Sequence, residues 1–216
     1  MVVALVSIRK SSELRLSKIG VRDSKMLSRA KREIIYKELQ HICTDILVSK
    51  ISAQEINESM SKGISLNDIE AMHFVKLINM LGPVEKIYID SPDVIQGRFG
   101  LRIKEMCEPR ISVGAKRGKG EANTIKIISE HKADARYPVV SAASIVAKII
   151  RDKEIKQLER KLKIKIGSGY PSDLKTLDAI QRNLKSEKLS PHIRDKWKTM
   201  ERVRQSKIIQ FAPSKN

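Results

Sequence analysis

Residues 124–148 read TIKIISEHKADARYPVVSAASIVAK, and this stretch decides the fold class of the chain. Its first part is rich in β-branched residues and predicts a buried strand, Thr124–Ser129. A polar turn, His131-Lys132-Ala133-Asp134, follows the strand. A long helix is then predicted from about Pro138 to Leu162. Its first half is small and apolar and its second half is charged, so we expect the helix to leave the core for solvent.

A second strand of the same kind lies upstream. Lys86–Ile89 is short and apolar and ends at Asp90, just as the later strand ends near Asp134. Parallel strands of an open α/β sheet bind ligands beyond their carboxyl ends, so the two carboxylates are predicted to converge there. Oxygen ligands of this kind suit Mg²⁺ or Mn²⁺. The alternative is that each Asp caps a helix or turn, an interpretation that fits Asp93 better.

The remaining pattern completes an α/β chain. Val2–Ile8 predicts a buried strand, and Ser28 can cap a helix to about Cys43 with Ile34, Ile35, Leu39 and Ile42 on one face. Ser65 and Asp68 have capping-box spacing before a helix over Leu66–Leu81, which Gly82-Pro83 stops. Two more helices are predicted after the loop Gly167–Asp173. We therefore predict an α/β core over residues 1–163 and a helical C-terminal cap with a basic tail over residues 164–216.

Charge points to the class of partner. The 216 residues include 43 Lys and Arg against 25 Asp and Glu, a net charge of +18. This excess favours a polyanion, with nucleic acid ahead of an anionic membrane surface. Neither a secretory signal nor an apolar run of the roughly 20 residues that span a membrane is visible. Cys43 and Cys107 have no metal-ligand spacing, and we expect a cytoplasmic protein.

Basic and aromatic residues supply candidate contacts to nucleic acid. Lys132, Lys148 and Arg151 could bind backbone phosphates, although for any single one of them a solvated basic face is the favoured interpretation. Tyr170 lies in the glycine-rich loop Gly167–Asp173, where it could stack on a sugar or base, or instead anchor the loop to the core. His131 fits a structural role better than a general base. Trp197 lies among basic residues, and a core role is favoured over stacking.

Six motifs, in order and spacing, resemble ribonuclease HII in its archaeal form. They are Asp23-Ser24-Lys25, Ile89-Asp90-Ser91-Pro92-Asp93, His131-Lys132-Ala133-Asp134, Val140–Lys148 (VSAASIVAK), Arg151-Asp152 and Gly167–Asp173 (GSGYPSD). The resemblance implies a ribonuclease H-like fold, α/β with a five-stranded mixed sheet flanked by helices and a helical C-terminal cap.

The resemblance also implies an activity and its residues. The reaction is hydrolysis of RNA in RNA–DNA hybrids and at ribonucleotides embedded in DNA, by two-metal catalysis with Mg²⁺ or Mn²⁺, leaving 5′-phosphate and 3′-hydroxyl ends. Asp90 and Asp134 match two of four metal-binding carboxylates, and Tyr170 matches the tyrosine that recognises the junction. Ser141, Lys132, Lys148 and Arg151 are the further substrate-binding candidates. The resemblance implies a monomer.

One motif of the family is not found in the sequence. The family opens with a central strand that ends in Asp-Glu-Ala-Gly-Arg-Gly, whereas Met1–Val6 resembles the strand after it. Two explanations stay open: a start assigned too far downstream, and a truncated protein that cannot catalyse. The corresponding functions are an active hybrid-cutting enzyme and an inactive hybrid-binding protein. A general basic RNA-binding protein is disfavoured, because acids beside phosphates do not help a pure binder.

Overall fold

The computed structural model describes residues 1–21, 27–111, 125–197, 199–201 and 203. For residues 108–111 only the backbone is described. Two parts of the sequence interpretation lie outside the described residues, the motif Asp23-Ser24-Lys25 and the basic loop at Gly114–Gly120. Helices and strands alternate along the chain, as an α/β fold requires.

The strands are β1 Val2–Ser7, β2 Asp45–Lys50, β3 Lys86–Asp90 and β4 Lys126–Glu130. The helices are α1 Glu13–Lys18, α2 Arg29–Ile42, α3 Ala53–Ser61, α4 Leu66–Ile78, α5 Arg98–Ile111, α6 Ala133–Arg136, α7 Pro138–Leu162 and α8 Leu174–Arg182. Single 3₁₀ turns lie at Lys10–Ser12 and Ser190–His192. The predicted bounds of α7 are confirmed, and those of α2, β1, β3 and β4 agree to within two residues.

Serine caps start three of the helices, because a side-chain oxygen satisfies an N–H group that the first turn leaves unpaired. Ser28, Ser52 and Ser65 each accept a hydrogen bond from the backbone N–H three residues later, which confirms the predicted caps of α2 and α4. The predicted end of α4 at Leu81 was wrong. Regular helix ends at Ile78, and the N–H groups of Met80 and Leu81 bond back only three residues, tightening the chain before Gly82.

The strands form two two-stranded sheets. β1 pairs antiparallel with β2, with Leu5 opposite Leu47, and β3 pairs parallel with β4, with Asp90 opposite Glu130. The parallel pairing confirms the prediction for the second half of the chain. The five-stranded sheet that the resemblance implies is represented, in the described residues, by these four strands. A cavity of about 670 Å³ is lined by residues of β1, β3, α4 and α7.

Contacts divide the described chain into two compact units. One contains residues 2–50 and 65–149, and the other contains residue 1, residues 51–64 and the described residues from 150 onward. The first holds all four strands, and α7 contributes to both. The predicted boundary after residue 163 stays a prediction.

Packing in the first unit follows the predicted apolar faces with one exception. Ile35, Leu39 and Ile42 of α2 are buried, but Ile34 is 58% exposed, so its predicted place on the buried face was wrong. The step of about 100° between neighbours leaves Ile34 off the stripe that the other three form. Helix α5 comes close to β4 at Gly100, where an added Cβ would lie 2.7 Å from the Cβ of Ser129.

The second unit has a small core of its own. Ile166, Leu189, Ile193 and Met200 are buried together, and Trp197 packs against them, which supports the core interpretation of that tryptophan. Asn57 of α3 joins this core by donating to the carbonyl of Ile193 at 2.8 Å. Among the described residues, no helix is both long and apolar enough to cross a membrane.

Candidate active site

The carboxyl ends of β3 and β4 place two predicted site residues on one edge. Asp90 is the last residue of β3, and its Oδ1 accepts a hydrogen bond from the N–H of Ala133 at 3.0 Å. Ser91 N–H donates to the carbonyl of Glu130 at 2.9 Å and so extends the parallel ladder by one step. These two bonds hold the turn that carries Asp134 against the end of β3.

The turn itself depends on an unusual backbone conformation. Lys132 adopts a left-handed conformation, with φ 56° and ψ 34°, and α6 begins at the next residue. Non-glycine residues rarely adopt this conformation, and they do so most often where the surrounding structure requires it. Asp134 follows in the first turn of α6 and is 5% exposed. A carboxylate is thus buried at the strand edge, next to the exposed side chain of Lys132.

Asp93 and His131 have structural roles beside these residues. Asp93 is buried, accepts from the N–H of Ile95 at 3.1 Å and pairs with Arg98 through both carboxylate oxygens. The Arg98 hydrogen bonds, followed by the Ile95 N–H, lower the pKa of Asp93 to about 2. Nε2 of His131 lies 2.6 Å from the carbonyl of Asp93. The turn interpretation of Asp93 and the structural interpretation of His131 are both supported.

Glu130 is a carboxylate on this edge that the sequence analysis did not single out. It is opposite Asp90 in the parallel register, pairs with Arg136 at 2.8 Å and accepts from the Tyr137 hydroxyl at 3.3 Å. Burial first, and the charge of Glu130 second, raise the pKa of Tyr137. A signal was available in the sequence, because Glu130 directly follows the predicted strand Thr124–Ser129 just as Asp90 follows Lys86–Ile89.

The two aspartates supply some of the ligands that a hard divalent cation needs. Asp90 and Asp134 offer carboxylate oxygens, which Mg²⁺ and Mn²⁺ prefer. In the part of the chain that the structure describes, no group of three or more His, Cys, Asp or Glu residues is arranged to hold a metal ion. The two aspartates therefore fit a metal chemically, as a share of its ligands.

Ser141 and Lys148 lie on the first half of α7. Ser141 is fully buried, and among the described residues its Oγ has no hydrogen-bond partner. The structure thus places its side chain inside the first unit, and its predicted substrate contact stays a prediction. Lys148 is half-buried, and a lysine in such a position can bury its aliphatic stem while its ammonium group reaches the surface.

In the other unit, two acidic residues accept hydrogen bonds from the backbone of the glycine-rich loop and of the residue before it. Asp173 Oδ2 accepts from the N–H of Ser168 at 2.6 Å and from the Thr176 hydroxyl at 3.2 Å, and its Oδ1 accepts from the N–H of Lys175. The Ser168 N–H is the largest cause lowering the pKa of Asp173 to about 2. Glu159 of α7 accepts from the N–H groups of Ile166 and Gly167 and fixes the start of the loop.

Tyr170 projects from this loop. Tyr170 is 43% exposed, and the guanidinium carbon of Arg151 lies 3.4 Å from the centroid of the Tyr170 ring. Arg151 also donates to the carbonyl of Ser168 at 2.5 Å. Tyr170 is therefore not a core anchor, and Arg151 is engaged within the protein rather than lying on a solvated basic face.

Comparisons with known proteins agree with one another. Residues 1–200 match the family model described as Ribonuclease HII. A protein named Ribonuclease HII from Methanocaldococcus jannaschii is 40% identical over 223 residues, covering 97% of this chain and 92% of that protein. One from Archaeoglobus fulgidus is 36% identical over 210 residues, with the same shares covered. A solved chain described as the PCNA:RNase HII complex from Archaeoglobus fulgidus is similar with a TM-score of 0.79 at 35% identity, over 97% of this chain and 92% of that one.

Proposed function

This chain belongs to the ribonuclease HII family, and on that premise we propose that it cuts the RNA strand of RNA–DNA hybrids and single ribonucleotides embedded in DNA. Family membership makes it an endoribonuclease of the type 2 ribonuclease H class. The observation that carries the proposal is the hydrogen bond from Ala133 to Asp90, because it fastens the turn bearing Asp134 to the edge where Asp90 ends β3.

Asp90 and Asp134 are the residues that would hold the metal. When bound, Mg²⁺ or Mn²⁺ would supply two-metal chemistry, activating water and stabilising the leaving oxygen. The contribution of the chain is to fix both carboxylates: Asp90 through the N–H of Ala133, and Asp134 through burial in the first turn of α6. Breaking the bond between phosphorus and the 3′-oxygen leaves a 5′-phosphate and a 3′-hydroxyl end.

The substrate side of the proposal rests on charge and on Tyr170. A net charge of +18 favours binding to a duplex through phosphates, with Lys132 at the carboxylate edge and Lys148 on α7 as candidate contacts. Phosphate contacts position a duplex without distinguishing RNA from DNA. An exposed aromatic ring on a rigid loop can stack on a sugar or base, which gives Tyr170 the recognition role at the junction.

The alternative function is an inactive protein that binds hybrids. It would keep Tyr170 and the basic surface without cutting. None of the relatives reported above is described in those terms. The two functions differ in one observable, since both bind hybrid but only the enzyme produces fragments when Mg²⁺ or Mn²⁺ is added.

The test compares two Asp→Asn variants. Asp90→Asn keeps an oxygen that can accept from Ala133 and removes the charge a metal needs, so cleavage should fall by orders of magnitude while hybrid binding persists. Asp178→Asn is the control: it changes charge equally, and Asp178 lies in an exposed pair with Arg182. Cleavage of a labelled hybrid is followed on a gel, and binding by fluorescence anisotropy.

Three outcomes separate the possibilities. Loss of cleavage in Asp90→Asn alone supports the proposal. Cleavage near the parental rate in Asp90→Asn contradicts the metal role of Asp90. Hybrid binding by the parent without cleavage in either metal favours the alternative function.

We propose in addition that the C-terminal segment binds a PCNA clamp. The Archaeoglobus fulgidus structure is described as a PCNA complex, and this chain covers 92% of that ribonuclease. Residues 204–216 lie outside the described residues, and their sequence places apolar Ile208, Ile209 and Phe211 among polar and basic neighbours. Short segments with such clustered anchors commonly dock into grooves. Phe211→Ala should weaken binding to the Archaeoglobus fulgidus clamp in surface plasmon resonance and leave hybrid cleavage unchanged; undiminished clamp binding would exclude this segment.

A further inference from the structure

Arg151 makes three contacts on one side of the glycine-rich loop. Its guanidinium carbon lies 3.4 Å from the centroid of the Tyr170 ring, Nη2 donates to the carbonyl of Ser168 at 2.5 Å, and Nη1 lies 3.4 Å from Oδ1 of Asp152. The side chain is 19% exposed. A planar guanidinium can stack on a ring and donate hydrogen bonds in its own plane at the same time, which an ammonium group cannot do.

The loop backbone has little freedom to move away from Arg151. Gly169 has φ +72°, and a Cβ built there would lie 2.7 Å from Cδ1 of Ile155 and 3.4 Å from Nη2 of Arg151. Its N–H donates to the hydroxyl of the buried Thr176 at 2.9 Å. The loop therefore rests directly on the second half of α7, with its position set before any ligand arrives.

Tyr170 is exposed in spite of this tight seating. One face of its ring carries the guanidinium, while the residue keeps 43% of its surface accessible. An aromatic ring has two faces, and Arg151 covers one of them, which leaves the opposite face as the one on which a ligand could stack. The Tyr170 ring is thus a candidate stacking surface whose other face is covered by the Arg151 guanidinium.

We propose that Arg151 is a positioning residue that fixes the plane of the Tyr170 ring, so that a nucleotide sugar or base stacks on the opposite face. This deepens the proposed function and rests on it. It assigns Arg151 a role different from the phosphate contact that its charge alone predicts, because two of its nitrogens already face Ser168 and Asp152. Lys148 keeps the phosphate role.

The central variant is Arg151→Lys. It preserves the positive charge and most of the aliphatic stem, but it loses the planar group that covers the ring and reaches Ser168. Lys156→Ala is the matched charge control, since Lys156 is an exposed residue later on the same helix. Tyr170→Ala and the double variant Arg151→Lys with Tyr170→Ala complete a double-mutant cycle.

Cleavage gives the first readout. At a single ribonucleotide embedded in DNA, Arg151→Lys should lower kcat/KM about tenfold, in the range of a lost stacking contact. The same change in the Tyr170→Ala background should cause little further loss, because the group that it positions is already absent. Lys156→Ala should stay near the parent. Fully additive losses in the cycle would overturn the proposal.

Salt dependence gives the second readout. A phosphate contact contributes about one to the slope of log affinity against log salt, whereas a positioning residue contributes none. We expect Arg151→Lys and Arg151→Ala to keep the parental slope for hybrid binding. A slope smaller by about one in Arg151→Ala would show that the residue binds phosphate, contrary to the proposal.

The third readout needs no cleavage and separates this proposal from the function on which it rests. The chain has four tyrosines, so ring signals from ¹³C-labelled tyrosine can be assigned by single Tyr→Phe changes. In the substrate-free protein, Arg151→Lys should shift the Tyr170 ring signal and leave that of Tyr36 in place. An unchanged Tyr170 signal would overturn the positioning role. A parent that cuts no hybrid would instead refute the proposed function.

Discussion

Gly100 offers the sharpest test of how α5 is held against β4. Gly100 is the third residue of α5, and a Cβ added there would lie 2.7 Å from Cβ of Ser129 and 3.5 Å from Cγ2 of Ile127. Ordinary van der Waals contact begins at about 3.4 Å. Because Cβ of Ser129 is attached directly to a paired strand, no rotamer change can move it away. The variant Gly100→Ala therefore has to push the helix from the sheet.

The expected magnitude is a balance of two effects. Overpacking of this kind costs about 1–3 kcal/mol. Alanine recovers at most about 1 kcal/mol over glycine through helix propensity. At the middle of these ranges, about 2 less about 0.5 kcal/mol, the free energy of unfolding should fall by about 1.5 kcal/mol, which lowers Tm by about 3–6 °C in a protein of this size.

The assay is urea unfolding followed by circular dichroism, with Gly82→Ala as the control. Gly82 has no atom within 4 Å of its built Cβ, so that change should be close to neutral. Ser129→Gly removes the atom that the new methyl group meets, and in its presence Gly100→Ala should no longer destabilise. A parental or higher stability for Gly100→Ala, or no coupling with Ser129→Gly, would refute the close packing of α5 on β4.

Three further outcomes are expected. Hydrogen bonds lower the pKa of Asp173 to about 2 from its ordinary 3.8, so its stabilising contribution is complete above about pH 4 and is lost as pH falls towards 2. Asp173→Asn should therefore destabilise the protein at pH 7, and it should reduce the change in the urea midpoint between pH 4 and pH 2.5. Lys148→Ala should reduce the salt slope of hybrid binding by about one, measured by anisotropy, and an unchanged slope would place Lys148 off the phosphate path. Burial raises the pKa of Cys43 to about 11, so native protein should react far more slowly with a thiolate-specific reagent at pH 8 than urea-unfolded protein; equal rates would contradict its burial.

Local signals in the sequence predicted the elements that carry the carboxylates. A β-branched run that ends in a polar turn predicted β4 and the turn before α6. The helix predicted from Pro138 to Leu162, apolar in its first half and charged in its second, has the bounds of α7. The capping serines of α2 and α4 were equally visible, because a cap is an interaction over three residues. These features depend on neighbours in sequence, which a single chain displays directly.

Other features could not be predicted because they depend on tertiary contacts. β2, Asp45–Lys50, has only the apolar run Ile46-Leu47-Val48 between charged ends, which is too short to tell a strand from part of a helix, and its pairing with β1 identifies it as a strand. The contact of Arg151 with Tyr170 joins a helix to a loop that follows it, and charge alone predicted a different role for the arginine. The hydrogen bond from the Ser168 N–H to the Asp173 carboxylate holds the loop in place, which its two glycines did not indicate.

The pairing of the strands as two separate sheets has a consequence for how the protein opens. In the described residues, the two sheets are linked through the helical layer, where α4 contacts β1 and β2, and α5 contacts α4 and β4. A two-stranded sheet has little stability alone. The backbone amides of β1–β2 and of β3–β4 should therefore exchange with deuterium as two separate cooperative units, and a variant that weakens the α4–α5 contact should lower the protection of each.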